Sequence, residues 1–414
     1  VIVGEPFESS LLGPERPLLP KLAVHLLEDE PGTLDVTLTI PLDPNEPDER
    51  AAIEQFAPED RTLDVRYLAR INLAAEREEL SRRFAETYRK HPIRKHLTAP
   101  ELGQVPDELL RDAFTPIAAQ GHSVFQRLFE PPDERGALLS HGEDDDPLVR
   151  RALASALARP HRVVLKSPLS LFPWAMLYDD ARIDENDLST FDARRFWGFR
   201  HVLQEEIPGA AMAVRLPQAP RVVAAVCPEV DAADEHRQGP LGKLAEARPD
   251  GVSWLGSAEA LRRELANFDG DCLYFYGHAV QADPPTPTTS YLRLDGINLT
   301  AYAIRKDGGP NFKRRPVLAF LNGCETKPLH VWDESSIAGL LCLRGGGRVC
   351  AVTTFAEVPV AFGRRFGQLF WERFLGGDNV GVSLQRARAA MLEQYQNPLG
   401  LLYALLGRAE TRLG

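Results

Sequence analysis

The sequence predicts an α/β protein built on a largely parallel sheet that helices cover on both faces. Two observations carry that reading. Five short apolar runs are bounded by Pro or Gly: "HRVVLKS" (161–167), "PRVVAAVCP" (220–228), "DCLYFYG" (271–277), "RPVLAFLNG" (315–323) and "GRVCAVTTF" (347–355). Helical patterns alternate with most of them, at 257–268, 335–345, 359–376 and 381–395. Strands that are apolar without alternation are buried on both faces, which a sheet clad in helices provides.

Ahead of this region the elements differ. Residues 20–41 read as a hairpin around an "EDEPGT" turn. The stretch 43–60 holds seven carboxylates against one Arg, and with "GEDDD" (142–146) it reads as solvated loop or linker. From Arg61 to His91 the spacing predicts a helix: Val65, Leu68, Leu73, Leu80, Phe84 and Tyr88 recur at roughly helical intervals, and Pro92 stops it. Short helices are expected at 106–118, 120–130 and 147–158. With 414 residues, long for one domain, the chain divides into a hairpin-plus-helix extension over 1–117 and an α/β domain over 118–414.

Composition excludes several classes. A net charge of −11 argues against nucleic acid as the main partner, because phosphate binding needs a basic field. No apolar stretch approaches the roughly 18 residues of a membrane span. The opening "VIVGEPFESSLLGPE" has neither the basic segment nor the apolar core of a secretory leader. Five cysteines, all after residue 226 and without paired spacing, fit a reducing cytoplasm rather than a disulfide framework.

Chemistry is suggested at two strand ends. His278 closes "LYFYGHAV" and Cys324 follows "VLAFLNG". Parallel strands present their carboxyl ends at one edge, so neighbouring strands would bring both side chains together. An imidazole within reach of a thiol can take its proton and release a nucleophilic thiolate. Backbone N–H groups around Gly277 to Ala279 and at Gly323 and Cys324 are placed to stabilise the resulting oxyanion. Periodicity alone favours the plainer alternative, an inert core cysteine and a histidine satisfied by a carbonyl. Cys227, Cys272 and Cys350, in or beside strands, and Cys342, in an apolar helix, read as core.

Six segments in order favour chemistry: "GHSVFQRLF" (121–129), "LSLFPWAMLYDD" (169–180), "YFYGHA" (274–279), "AFLNGCET" (319–326), "SSIAGLLCLRGGGRVCAV" (335–352) and "SLQRARAAMLEQYQNPLGLLYALLG" (383–407). Together they resemble the CHAT domain, a family of caspase-like cysteine peptidases related to separases and caspases, from about residue 118 to the end. The resemblance implies a caspase-like sheet, Cys324 as nucleophile and His278 as base. It implies an oxyanion hole of the Ala279 and Cys324 backbone N–H groups, with Ala279 where the family usually has Gly. It implies cleavage of a protein after Arg or Lys, held by an acid at P1. Glu357, after "AVTTF", and Asp179 are the candidate acids, and Phe355 a candidate wall; a surface or structural carboxylate and a core aromatic are the alternatives. No cofactor is implied. The expected partners are a protein substrate, in bacterial defence a co-encoded effector, and an activating protein or ligand. Segments 281–290 and 325–334 are expected to rim the cleft and to switch it. A catalytically silent CHAT scaffold that binds partners is the alternative from another class.

Overall fold

Strands that are apolar on both faces need cover on both, and the computed structural model shows how it is supplied. The structure describes residues 19–414 except 31, 58, 130–146, 168–171, 207–214, 232–233, 281–289, 313–316, 324–335 and 347. In chain order the strands are β1 (Lys21–Glu30), β2 (Thr33–Pro41), β3 (Thr62–Arg70), β4 (Arg162–Lys166), β5 (Val202–Glu205), β6 (Arg215–Leu216), β7 (Val222–Val226) and β8 (Val252–Leu255). They continue as β9 (Cys272–Val280), β10 (Tyr291–Leu294), β11 (Ile297–Thr300), β12 (Val317–Gly323), β13 (Val349–Thr354), β14 (Tyr403–Leu406) and β15 (Arg412–Leu413).

Thirteen of them form one sheet, ordered β11-β10-β9-β12-β13-β14-β5-β4-β1-β2-β3, with β7 and β8 joined to β9. Strands β8, β7, β9, β12 and β13 run parallel, as expected for crossovers through helices. Strand β14 is antiparallel to β13, and β5, β4 and β1 continue parallel to β14. Strands β6 and β15 pair separately. On one face Tyr274, Phe320 and Val352 join a core with the helices Val360–Leu375 and Val380–Tyr395. On the other, Leu273, Phe275, Ala319, Leu321 and Ala351 pack on Leu261, Leu265, Leu340 and Leu341 of the helices Ala258–Ala266 and Ile337–Arg344. Each large side chain removed from water contributes roughly 1.5–3 kcal/mol.

The N-terminal part departs from expectation in three places. The helix expected from Arg61 begins only at Leu73, and Thr62–Arg70 is β3. Its burial alternates with period two, Leu63, Val65, Tyr67 and Ala69 inward, while Leu68 is 37% exposed. Alternation over nine residues outweighed two coincidental matches to a helical register. The acidic stretch is no loop either, since Pro47–Phe56 is helical and Glu49 is fully buried. Glu49 accepts from the Ser155 hydroxyl (2.7 Å), the Asp43 backbone N–H (2.8 Å) and the Arg159 guanidinium. Finally, the two helices expected at 106–118 and 120–130 are one, Asp107–Phe129. Gly121 does not break it; a Cβ there would stand 2.2 Å from the Met176 carbonyl oxygen, so glycine serves a close approach. This helix passes through positions 117 and 118, and β1 pairs with β4, so the N-terminal strands extend the same sheet.

The helix Val360–Leu375 lies close on β9 and β12 because two glycines, one turn apart, face the strands. A Cβ on Gly367 would fall 2.5 Å from the Tyr274 hydroxyl and 2.9 Å from Asn322 Nδ2, and one on Gly363 3.2 Å from Asn322 Oδ1. The helix Val380–Tyr395 carries the buried Arg388, which donates to the carbonyls of Gly198 (3.1 Å), Gly400 (3.1 Å) and Tyr403 (2.5 Å). Burial without a carboxylate bonded to it lowers its pKa to about 9, so it stays charged at neutral pH.

At the start of β4 and β5, the His161 backbone N–H donates to His201 Nδ1 (3.1 Å) and Val202 N–H to the His161 carbonyl (2.9 Å). Burial lowers the pKa of both rings, His161 to about 4 and His201 well below 6.5.

Two outcomes are expected. Gly367→Ala gains at most about 1 kcal/mol of helix propensity, but it overpacks a rigid phenol at about 1–3 kcal/mol. Urea denaturation should therefore show a net loss, and a gain would contradict the packing described. For the histidines, the unfolded chain titrates near about 6.5 and binds more protons below that pH than the native state. Stability is full above that pH and falls as pH drops toward 4. Between pH 7 and 5 the wild type should lose about 2 kcal/mol more than His161→Gln, and equal losses would refute the assignment.

Candidate active site

Strand β9 changes neighbours in mid-course. Along Cys272–Tyr276 it pairs with β7, and along His278–Val280 with the antiparallel β10, on the side away from β12. Gly277 sits at the handover. A Cβ there would stand 2.9 Å from Cys227 Cβ and 3.2 Å from the Arg293 carbonyl oxygen. Across the ladder Gly277 is in register with Gly323, the last residue of β12, where a Cβ would lie 2.8 Å from the Gly277 oxygen. The end of β12 thus meets the middle of β9 through facing glycines, beside the switch between β7 and β9 where open α/β sheets bind ligands. His278 does not close its strand as the sequence suggested, because pairing with β10 carries β9 on to Val280.

His278, the residue after Gly277, is exposed, and its cross-strand partner Arg293 is exposed too. It shares strand parity with Tyr274 and Tyr276, which face the helix Val360–Leu375. The Tyr276 hydroxyl donates to the Val360 carbonyl (2.8 Å). Cys324, the residue after Gly323, lies outside the described residues, as do 281–289 and 325–334 of the two rim segments. What precedes Cys324 is tightly held: the Thr354 hydroxyl of β13 donates to the Gly323 carbonyl. Ala279 is buried and opposite Leu292 of β10.

The other sequence candidates are spread along this edge. Phe355 follows β13, buried, with its N–H on the Leu402 carbonyl (3.1 Å), and lines a small cavity with Pro173, Trp174, Arg388 and Tyr403. Glu357, two residues on, is exposed and has no hydrogen bond or ion pair among the described residues. Asp179 is different. Its side chain is 4% exposed, takes a 2.5 Å hydrogen bond from Arg200 and lies 4.0 Å from His201 Nε2. Burial raises its pKa against the opposing pull of Arg200.

Three of the other cysteines are poor nucleophiles. Burial pushes the Cys350 thiol to about 12, Cys272 well above 9 and Cys342 upward as well, so they stay protonated. Among the described residues no group of three or more His, Cys, Asp or Glu is arranged to hold a metal, and no helix is long and apolar enough to cross a membrane.

Sequence reasoning missed the polar side chains beneath the strand ends. Asn322 is buried in a strand with no exposed residue; its Nδ2 donates to the Gly363 carbonyl (2.7 Å) and to the Tyr274 hydroxyl (3.1 Å), and its Oδ1 accepts from the Tyr403 hydroxyl (2.7 Å). A lone amide inside "VLAFLNG" was the available signal, because a buried amide requires partners.

The chain is similar to several known proteins. A Vitiosangium sp. protein named "Probable protease" is 30% identical over 235 residues, covering 50% of this chain and 28% of that protein. The chain therefore matches less than a third of that relative's length. Its structure is similar to separase in the Saccharomyces cerevisiae separase–securin complex, at TM-score 0.46 and 11% identity, over 95% of this chain and 30% of that one. It is also similar to the Arg-specific cysteine proteinase gingipain R, at TM-score 0.40 and 10% identity, over 82% and 75%. The pattern of the CHAT domain matches residues 145–399, more than half of the sequence. The chain belongs to the CHAT-domain family.

Proposed function

We propose that the chain is a cysteine endopeptidase in which His278 is the base and Cys324 the nucleophile. One observation carries the reading: the parallel register of Gly277, within β9, with Gly323 at the end of β12, with His278 and Cys324 next along the sequence. His278 and Cys324 are thus each one peptide bond along the sequence from a member of that in-register pair. Exposure of His278 suits a base that must meet substrate.

In the proposed reaction His278 takes the thiol proton, and the Cys324 sulfur forms a bond to the scissile carbonyl carbon. The carbonyl π pair moves onto oxygen, where the Ala279 and Cys324 N–H groups hold it. The C–N bond then breaks and the imidazolium gives its proton to the leaving amine. Water, deprotonated by His278, cleaves the thioester, releasing the carboxylic product and restoring the thiol.

For a basic P1 residue, Glu357 is the better of the two acids, because Asp179 is already committed to Arg200. An exposed Glu357 pair with substrate would be worth only about 0.2–1 kcal/mol, whereas one dried by bound substrate loses roughly 3–5 kcal/mol when truncated. Phe355 supports the wall from beneath. The wider setting belongs to the same proposal: a switchable bacterial defence protease that cuts a co-encoded protein.

Two experiments test the reading. Iodoacetamide should label Cys324 faster than the other four cysteines near neutral pH, and His278→Ala should abolish that selectivity. Uniform labelling would return the chain to a non-catalytic scaffold. A peptide-library profile should show cleavage after Arg or Lys, reduced by about two orders of magnitude or more in Glu357→Ala. Asp179→Ala should leave the preference intact. An apolar or acidic P1 preference would overturn the assignment.

A further inference from the structure

We infer that Asn322 is a positioning residue for Cys324, and that Asp231, His236 and Tyr274 fix the direction in which its amide donates. The inference rests on the proposed pairing of His278 with Cys324. The hydrogen-bond inventory leaves one arrangement. The Asn322 oxygen takes the Tyr403 hydroxyl, and its two N–H hydrogens go to the Gly363 carbonyl and the Tyr274 oxygen. Tyr274, having accepted, has one hydrogen left, and its other partner is His236 Nε2 at 2.8 Å. A ring nitrogen that accepts carries no hydrogen, so the His236 hydrogen sits on Nδ1, which faces Asp231 Oδ1 at 3.2 Å. The other Asp231 oxygen accepts from the His236 backbone N–H (3.3 Å).

The hydrogens point one way, Asn322 to Tyr274 and Tyr274 to His236. His236 is held in place by its backbone N–H on Asp231, whose other oxygen lies 3.2 Å from Nδ1 without a hydrogen bond between them. All four are buried, as is Tyr403. Burial also holds the Tyr274 phenol protonated, so it remains a donor. A flipped Asn322 amide would set its oxygen against the Gly363 carbonyl, so the chain admits one orientation only. Each partner comes from a different element: β9, β14, the helix Val360–Leu375 and the short helix Glu235–Gln238. Asn322 precedes Cys324 by two residues and touches no substrate position, so its role is to hold the strand end in register with His278. A displacement of about 1 Å at such a pair costs roughly a hundredfold in rate.

The test measures the pH dependence of Cys324 alkylation by iodoacetamide in the full chain, from pH 5 to 9. Tyr274→Phe removes one oxygen and keeps the aromatic packing. It should slow alkylation at neutral pH by roughly tenfold and move the profile toward that of His278→Ala. His236→Ala should do the same, and His236→Gln, whose side-chain oxygen can accept from Tyr274, should restore it. Circular dichroism and protection of Cys272 and Cys350 report whether each variant is folded. A wild-type profile in folded Tyr274→Phe overturns the positioning role while the dyad stands. If His278→Ala itself leaves the wild-type profile unchanged, the dyad reading fails, and this inference falls with it.

Discussion

The amide of Asn322 is the constraint around which the rest of the sheet is arranged. Strand β12 is buried along its whole length, and Asn322 is its one side chain that must hydrogen-bond. Each donor or acceptor left unmade there would cost about 1–3 kcal/mol, comparable with a large share of a domain's net stability. Meeting that demand dictates neighbours in three directions. Strand β9 must bring Tyr274 alongside, β14 must run antiparallel to β13 to deliver Tyr403, and a helix must come near enough to offer the Gly363 carbonyl. Glycine at 363 and 367 is what lets that helix approach.

A second tier holds those partners in place. Arg388 bonds the Tyr403 carbonyl and ties it to Gly198 and Gly400, so the backbone that presents the Tyr403 hydroxyl is fixed from behind. On the other flank, Thr354 takes the Gly323 carbonyl and Tyr276 the Val360 carbonyl. Gly323 and Tyr276 are thereby pinned, each within two residues of a member of the proposed dyad. Polar groups buried this deeply add modest net stability, but they penalise every alternative arrangement, which is what a site requiring sub-ångström placement needs.

Legibility followed the strength of the local signal. The strands around 222–226, 272–280, 317–323 and 349–354 were readable because each is a continuous apolar run with a Gly or Pro boundary. Strand β3 was not, because Val65, Leu68 and Leu73 mimic a helical spacing, and only the alternation of Leu63, Val65, Tyr67 and Ala69 distinguishes them. The helix Pro47–Phe56 was hidden by its charge, since nothing local shows that Glu49 turns inward to Ser155 and Arg159, over a hundred residues away. That β9 and β12 are parallel neighbours was expected from the two apolar runs, whereas the continuation of β9 past His278 to pair with β10 was not. Glu357 and Asp179 looked alike in sequence, and only the contact with Arg200 separates them, a relation that no spacing rule encodes.

The same topology limits how the N-terminal strands can influence the site. From β12 to β1 the sheet crosses five ladders, through β13, β14, β5 and β4. At about 4.8 Å per ladder that is about 24 Å, too far for β1 to β3 to touch the end of β12. Coupling across that distance has to pass through packed elements with two arrangements, not through direct contact. The candidates are few: the His161–His201 clamp between β4 and β5, and Arg388 behind β14. Both are buried, polar and committed to backbone groups, so a shift at β1 reaches Tyr403 only by straining those bonds. A stiff sheet of this kind insulates the strand ends from its far edge. Control of the proposed activity is therefore more economically exerted from the near side, where Glu357, Arg293 and His278 are already exposed.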